Sequence, residues 1–373
     1  MSPRRVRERG RDRVDAVRVL VVDDSAFMRT ALSRMISSEA GFEVVATACS
    51  GSEGLEKIAS FDPDVVTLDD EMPGLSGLET LRCIMNRFPR PVIMVSAETG
   101  EGAEQTLNAL ASGAFDCVPK HLSSSSLDIA HLRLELIAKI RAAAQSRRSR
   151  TGDFRSRKRP RSLVEAFDSV STIPPAIVAL GTSTGGPQAL QEILPLFPED
   201  FSVPMLIVQH MPPGFSGPFA QRLNTLCSVT VQEAVHREVI QPGVVYIAPA
   251  GRYMTVERPS DARTILCLSA PSLDAHSNVC LHIPSVDVLM KSVAEAFRNR
   301  ALGVIMTGMG SDGAHGMKAI HRMGGLTIGQ DEASCAVYGM PRACAELGVL
   351  SRVVPLLEIP AHILRATRYR KRA

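Results

Sequence analysis

No Cys-x-x-Cys pair occurs in the sequence. The eight cysteines (Cys49, Cys83, Cys117, Cys227, Cys267, Cys280, Cys335 and Cys344) are scattered, several of them inside apolar runs as buried thiols are. Neither a zinc site nor a disulfide framework is therefore expected. Long apolar stretches are missing too: none approaches the ~20 residues of a membrane span, and no apolar signal segment follows the basic N-terminus. This predicts a cytoplasmic protein with no membrane insertion. A strong charge imbalance is also absent, since 42 Lys+Arg against 39 Asp+Glu leave a net charge of +3.

The basic residues are nevertheless concentrated. Residues 1–18 hold seven arginines against three acids, residues 147–161 hold eight basic residues against one acid, and the C-terminal residues are basic as well. No aromatic residues interleave these runs in a base-stacking pattern, so they read as solvated tails and a connector. No direct nucleic-acid contact is expected; a DNA-binding connector is the sharper alternative, with strongly salt-dependent affinity as its signature. A composition of 45% hydrophobic and 22% charged residues suits an α/β protein, and 373 residues suffice for about two or three domains. The divisions are a basic tail (1–16), a first domain (17–144), a flexible basic linker (145–173), a second domain (174–367) and a basic tail (368–373).

The chain is organised around Gly181-Thr182-Ser183-Thr184-Gly185-Gly186. A short apolar, partly β-branched run precedes it, and residues 188–194 carry apolar side chains at helical spacing. Strand, tight turn and helix together would lift the Ser183 hydroxyl clear of a sheet, with free N–H groups of the helix N-terminus behind it. A serine nucleophile beside an oxyanion site needs this geometry. A phosphate-cradling or purely structural turn has the same local pattern.

In the first domain five apolar strands alternate with five helices, which implies a doubly wound parallel sheet. Asp23 and Asp24 follow the first strand and Asp69 ends the third, so three carboxylates would converge at one sheet edge. Such crowding is unfavourable without a divalent cation, and oxygen ligands suit Mg²⁺. Ser96 and Lys120 arrive from the fourth and fifth strands, completing a site for moving a phosphoryl group onto a carboxylate.

Val22-Asp23-Asp24-Ser25, Leu68-Asp69-Asp70-Glu71-Met72-Pro73-Gly74, Val95-Ser96-Ala97-Glu98 and Val118-Pro119-Lys120 resemble the receiver domain of two-component response regulators over residues 18–144. The resemblance implies a flavodoxin-like fold, Asp69 as phosphoacceptor, Asp23, Asp24 and Asp69 with the Glu71 main-chain carbonyl as Mg²⁺ ligands, and Ser96 and Lys120 as readers of the phosphate. There are two departures. Cys117 stands three before the lysine, where receivers commonly carry an aromatic switch residue, and His121 replaces the usual following proline.

The second domain reads as another mostly parallel, doubly wound sheet with one hairpin over residues 253–268. Ser183, His210 and Asp312 all lie just beyond apolar strands, where parallel strands bring their C-terminal ends to one edge. A serine hydroxyl needs a base at neutral pH; an imidazole supplies it, and a carboxylate fixes that ring. The order Ser, His, Asp differs from that of α/β-hydrolases. Structural roles for His210 and Asp312 fit the local pattern as well. Among the other histidines, His236 lies in a polar stretch, His315 and His321 on a helix, His276 and His282 beside a Ser/Asn turn, and His362 near the C-terminus.

Gly181-Thr182-Ser183-Thr184-Gly185-Gly186-Pro187, Gln209-His210-Met211-Pro212-Pro213-Gly214-Phe215, Ile247-Ala248-Pro249-Ala250-Gly251 and Met306-Thr307-Gly308-Met309-Gly310-Ser311-Asp312-Gly313-Ala314 resemble the catalytic domain of chemotaxis protein-glutamate methylesterases over residues 174–357. The resemblance implies a Rossmann-like domain with Ser183 as nucleophile, His210 as general base and acid and Asp312 as its orienting carboxylate. Thr184 and the backbone around Met309 would shape the oxyanion site. Residues 282–287 resemble the family's Pro-Ser-Val-Asp segment at the substrate cleft.

The family reading is a phosphorylation-regulated methylesterase acting on chemoreceptor glutamyl methyl esters, with deamidation of receptor glutamines beside it. Its phosphodonor would be a chemotaxis histidine kinase, its receiver cofactor Mg²⁺, and its esterase chemistry cofactor-free. In the unphosphorylated protein the receiver would cover the catalytic cleft. A scaffold without catalysis and a DNA-binding response regulator are the readings from other classes; the latter calls for a helix-turn-helix second domain.

Overall fold

The computed structural model describes residues 16–96, 100–120, 126–151, 173–258, 263–270 and 282–369. The first domain alternates strand and helix: β1 (Val17–Val22), α1 (Ala26–Ser37), β2 (Phe42–Ala48), α2 (Gly51–Phe61), β3 (Val65–Asp69), α3 (Gly77–Arg87), β4 (Val92–Ser96), α4 (Gly100–Ala111), β5 (Asp116–Pro119) and α5 (Ser126–Thr151). The strands are parallel in the order β2-β1-β3-β4-β5. The order reverses between β1 and β3, and that is where the two acidic strand ends meet. Strands β3 and β4 are buried along their whole length, as strands covered by helices on both faces must be.

The second domain continues with β6 (Ile177–Thr182), α6 (Gly186–Ile193), β7 (Met205–Gln209), α7 (Ser216–Leu226), β8 (Thr230–Glu233), β9 (Val244–Ile247), β10 (Tyr253–Glu257) and β11 (Ile265–Ser269). It closes with α8 (Val286–Phe297), β12 (Ala301–Ile305), α9 (Ala314–Arg322), β13 (Leu326–Gln330), α10 (Met340–Glu346), β14 (Arg352–Val354) and α11 (Ile359–Ala366). Seven strands form one parallel sheet ordered β14-β13-β12-β6-β7-β9-β8, and β10 and β11 make a separate antiparallel hairpin. Both sheets thus agree with the doubly wound α/β expectation. The second sheet reverses direction at β6, between β12 and β7, which places Ser183 at the switch point.

Three elements depart from the sequence expectation. Helix α5 runs to Thr151 rather than ending at residue 144, so the connector begins as helix. Arg147 anchors this extension, donating to the Pro63 carbonyl at 2.6 Å and to the carboxylates of Asp62 and Asp64. The short β14 was not anticipated, nor was α11, whose Pro360 sits in the first turn where its missing N–H costs nothing. The remaining connector from 152 to 172, His121, His276 and the tail residues 1–15 and 370–373 lie outside the described residues. No helix among the described residues is long and apolar enough to cross a membrane.

The two domains touch through α4, which packs on α6 and α7. One cluster of buried apolar side chains takes in Leu107 and Leu110 of α4 with Leu190 of α6 and Phe219 of α7. Arg222 of α7 donates to Asn108 Oδ1 of α4 at 2.6 Å and to Gln191 Oε1 of α6 at 3.2 Å.

Candidate active site

The register of the second sheet brings the three triad candidates to one edge. Thr182 pairs with Gln209, so Ser183 and His210 occupy the next position on neighbouring parallel strands. His210 N–H donates to the Thr182 carbonyl at 3.1 Å, and Ser183 N–H to the Thr307 carbonyl at 3.0 Å, extending the ladder beyond the strands on both sides. Gly185 closes the turn with φ +75°, a left-handed conformation that L side chains rarely adopt, and α6 begins at the next residue. Ser183 is half-buried and Thr184 is buried. With Ser183 N–H committed to Thr307, the main-chain donors left near the hydroxyl belong to its neighbours. The N–H groups of Thr184 and of half-buried Met309 take no part in the hydrogen bonds that fix this turn.

His210 and Asp312 meet as the residue types suggested. His210 Nε2 lies 2.8 Å from Asp312 Oδ2, and both side chains are 10% exposed. His210 Nδ1 is buried and has no partner among the described residues. Asp312 is gripped by the N-terminus of α8: Oδ1 accepts from Ser285 Oγ and Asp287 N–H, each at 3.0 Å, and Oδ2 accepts from Val286 N–H at 2.7 Å. A helix N-terminus favours a carboxylate through its free N–H groups and dipole. Burial alone would raise the Asp312 pKa, but the hydrogen bond and charge of His210 and the N–H donors of Asp287 and Val286 outweigh it, bringing the group down to about 2. Helix α8 reaches this position because Gly181 lacks a side chain, since a Cβ there would fall 2.3 Å from Val286 Cγ1.

Beneath Ser183 and His210 lies a polar layer that sequence reasoning missed. Gln209 Nε2 donates to the carbonyls of both Ser183 and His210, at 3.0 and 2.8 Å. Thr182 Oγ1 donates to the Thr307 carbonyl, Thr307 Oγ1 to the Thr184 carbonyl, and Thr307 N–H to Gln330 Oε1. All four of these side chains are at most 2% exposed. The available signal was a single polar residue ending each apolar strand. It was legible as polarity but not as pairing.

In the first domain, one carboxylate oxygen from each of Asp23, Asp24 and Asp69 lies within 4.8 Å of the others. Asp23 Oδ2 and Asp69 Oδ2 are buried and have no hydrogen-bond partner among the described residues, although Lys120 Nζ stands 3.6 Å from the former. Burial and the Asp69 charge push the Asp23 carboxyl up to about 6, with Lys120 only partly offsetting them. Asp70, to which no role was assigned from sequence, is also buried, and burial with its Asp69 neighbour raises it to about 7. Orphaned carboxylate oxygens that repel one another fit a divalent cation. Lys120 Nζ pairs with Asp69 Oδ1, which also accepts from Glu71 N–H at 3.2 Å. The Glu71 side chain is exposed and stands outside the acidic cluster, in keeping with a main-chain role. Ser96 is buried beside the site, and its Oγ accepts from Thr106 Oγ1 of α4 at 2.8 Å.

The Cys117 departure has a physical consequence. Burial pushes its thiol up to about 12, so it holds almost no reactive thiolate at neutral pH. Alkylation of the native protein at pH 8 followed by peptide mass spectrometry is expected to modify exposed Cys49 while sparing Cys117. Equal labelling of the two would show that β5 opens readily.

Family models match both halves of the chain: the response regulator receiver domain over residues 19–131 and the CheB methylesterase over residues 178–363. A protein-glutamate methylesterase/protein-glutamine glutaminase of Oleidesulfovibrio alaskensis is 44% identical, over 94% of this chain and 99% of the relative. One from Pyrococcus horikoshii is 44% identical, over 94% of this chain and 93% of its own length. The solved CheB methylesterase catalytic domain of Thermotoga maritima is 35% identical, covering 52% of this chain and 99% of that one, with a TM-score of 0.49. The chain belongs to the protein-glutamate methylesterase/protein-glutamine glutaminase family, as an enzyme that joins a response-regulator receiver to a methylesterase domain.

Proposed function

We propose that this enzyme hydrolyses glutamyl methyl esters on chemoreceptors, with Ser183, His210 and Asp312 as catalytic residues, and that phosphorylation of Asp69 regulates it. The observation that carries this reading is the His210–Asp312 pair at the sheet's switch point, with His210 in register with Ser183 on the neighbouring strand. Asp312 holds the Nε2 proton of His210, which leaves Nδ1 as the basic nitrogen for the Ser183 hydroxyl. Ser183 Oγ attacks the ester carbonyl, His210 takes its proton, and the same proton passes to the methoxide leaving group as methanol departs. Water, deprotonated by His210, then attacks the acyl-enzyme; glutamate is released and Ser183 regains its proton. The developing oxyanion would face the N–H groups of Thr184 and Met309. A glutamine amide takes the same route and yields ammonia in place of methanol.

In the receiver, Asp23, Asp24, Asp69 and the Glu71 carbonyl would hold Mg²⁺, whose charge offsets that of the carboxylates and the phosphoryl oxygens. Asp69 attacks the phosphorus of a phosphodonor, a chemotaxis histidine kinase in the cell, and releases the donor's leaving group. Lys120 and Ser96 then bind the phosphoryl oxygens. Ser96 Oγ accepts from Thr106 Oγ1 of α4 and keeps its own O–H to donate to a phosphoryl oxygen, which links the phosphate through Ser96 to the helix that packs on α6 and α7. The receiver at this place biases a closed state, and phosphorylation shifts the population away from it. The domain limits 17–144 and 174–367 belong to the same reading, with the last helix of the first domain carried on to Thr151.

Methanol release from methylated chemoreceptor membranes tests it, with and without Mg²⁺ and acetyl phosphate. The wild-type rate is expected to rise severalfold with the phosphodonor. Asp69→Asn should keep the basal rate and lose the stimulation. Stimulation that survives Asp69→Asn would remove Asp69 as the phosphoacceptor.

A further inference from the structure

Resting on the esterase reading above, the geometry points to His282 as a positioning residue of the reaction. Its ring stacks on the His210 ring with centroids 4.5 Å apart and planes 18° apart. His282 lies in the stretch that leads into α8 and is half-buried. Three residues on, Ser285 caps α8 and donates to Asp312. A single short segment therefore contacts both partners of the base: His282 lies against the imidazole, and Ser285, Val286 and Asp287 hold the carboxylate. The segment is itself tied to the β9–β10 loop, where Gly251 N–H donates to the Ile283 carbonyl at 3.4 Å.

The physical need for such a group is specific. One hydrogen bond from Nε2 to Asp312 fixes the His210 ring at a single point and leaves it free to rock about its Cβ–Cγ bond. Nδ1, the nitrogen that must meet the serine proton, sweeps out the error. A flat ring lying face-on against it closes off that motion on one side, at little entropic cost because the neighbour is itself anchored. Small misplacement of a reacting group is costly in rate, since a shift of about 1 Å can lower turnover by about 10²-fold. A stacked contact uses neither nitrogen of His210 in a hydrogen bond, so it leaves the tautomer chosen by Asp312 undisturbed. His282 acts through His210 and forms no bond to the ester.

The test compares the full-length phosphorylated wild type with His282→Ala, His282→Phe and Ser183→Ala, using initial rates of methanol release over a range of methylated-receptor concentrations. His282→Ala is expected to lower kcat about tenfold while KM stays within about twofold, because the lost term is orientation at the reacting atoms and not substrate binding. His282→Phe keeps a flat ring and should recover most of kcat. Circular dichroism and thermal melting establish that each variant is folded. An unchanged kcat in His282→Ala would overturn the inference, as would a phenylalanine variant no better than alanine, or a change confined to KM. Ser183→Ala separates the two levels. If it stays fully active, the esterase assignment itself fails; if it is inactive while His282→Ala is normal, only the role of His282 falls.

Discussion

Ser183→Ala is expected to lower receptor-ester hydrolysis by about 10⁴-fold or more while leaving the protein folded. The chemistry demands the loss, because no hydroxyl remains to form the acyl-enzyme and His210 has no nucleophile to activate. The fold tolerates it for a reason visible in the bonding. Ser183 is held by its main chain, through its N–H to Thr307 and its carbonyl to Gly186 N–H and Gln209 Nε2. None of those bonds uses the side-chain oxygen. A methyl group in its place leaves the turn, the α6 N-terminus and the polar layer beneath intact. Methanol release measured beside a thermal melt checks both halves, and a serine-free protein at full rate would refute the mechanism.

Asp312→Asn should come second in size, with turnover down by about 10⁴-fold, as expected when the base loses its correct tautomer. Every position around this carboxylate is a donor: Ser285 Oγ and Asp287 N–H on one oxygen, Val286 N–H and His210 Nε2 on the other. An amide has only one oxygen, so whichever way it turns its NH₂ group faces donors. It either leaves buried N–H groups of α8 unpaired or pushes His210 into the opposite tautomer, with its proton towards Ser183.

The same substitution should alter stability in acid. The Asp312 pKa is depressed from 3.8 to about 2, so its stabilising contribution is complete above the ordinary carboxylate value. As pH falls from about 4 through about 2 that contribution disappears, amounting to about 2 kcal/mol in the wild type. Asp312→Asn lacks this limb. Urea unfolding at pH 6 and at pH 2.5 should show the gap between the two proteins narrowing in acid; a constant gap would mean that the native carboxylate is not preferentially ionised.

Much of this site was legible from residue order. Apolar runs ending in Asp23-Asp24, Asp69, Ser96, Ser183 and His210 marked strand ends, and parallel strands put such ends on one edge. Residue type then suggested the chemistry, because a serine needs a base and clustered carboxylates need a cation. Local spacing could not report pairing. Nothing near residue 301 says that β12 lies beside β6, over a hundred residues earlier in the chain, and that pairing puts Thr307 against Ser183. For the same reason Gln209, Thr182 and Thr307 passed as ordinary strand ends. Helix α5 runs past the point, residue 144, where its apolar period fades. Its last turns are held instead by Arg147 reaching back to Asp62–Asp64, a contact across more than 80 residues.

By itself, the sequence determined the two α/β units, their strand and helix alternation, and the candidates proposed to carry a phosphoryl group and an acyl group. These follow from side-chain chemistry and from periodicities of two and 3.6, which act between near neighbours. Only the tertiary structure decided how the groups are aimed: which His210 nitrogen meets Asp312, that α8 presents its N-terminus to that carboxylate, that His282 lies flat against the His210 ring, and that α4 rests on α6 and α7. Those arrangements arise where distant segments pack. Their free energies come from excluded volume and paired buried dipoles, which become defined only once the chain has closed around them.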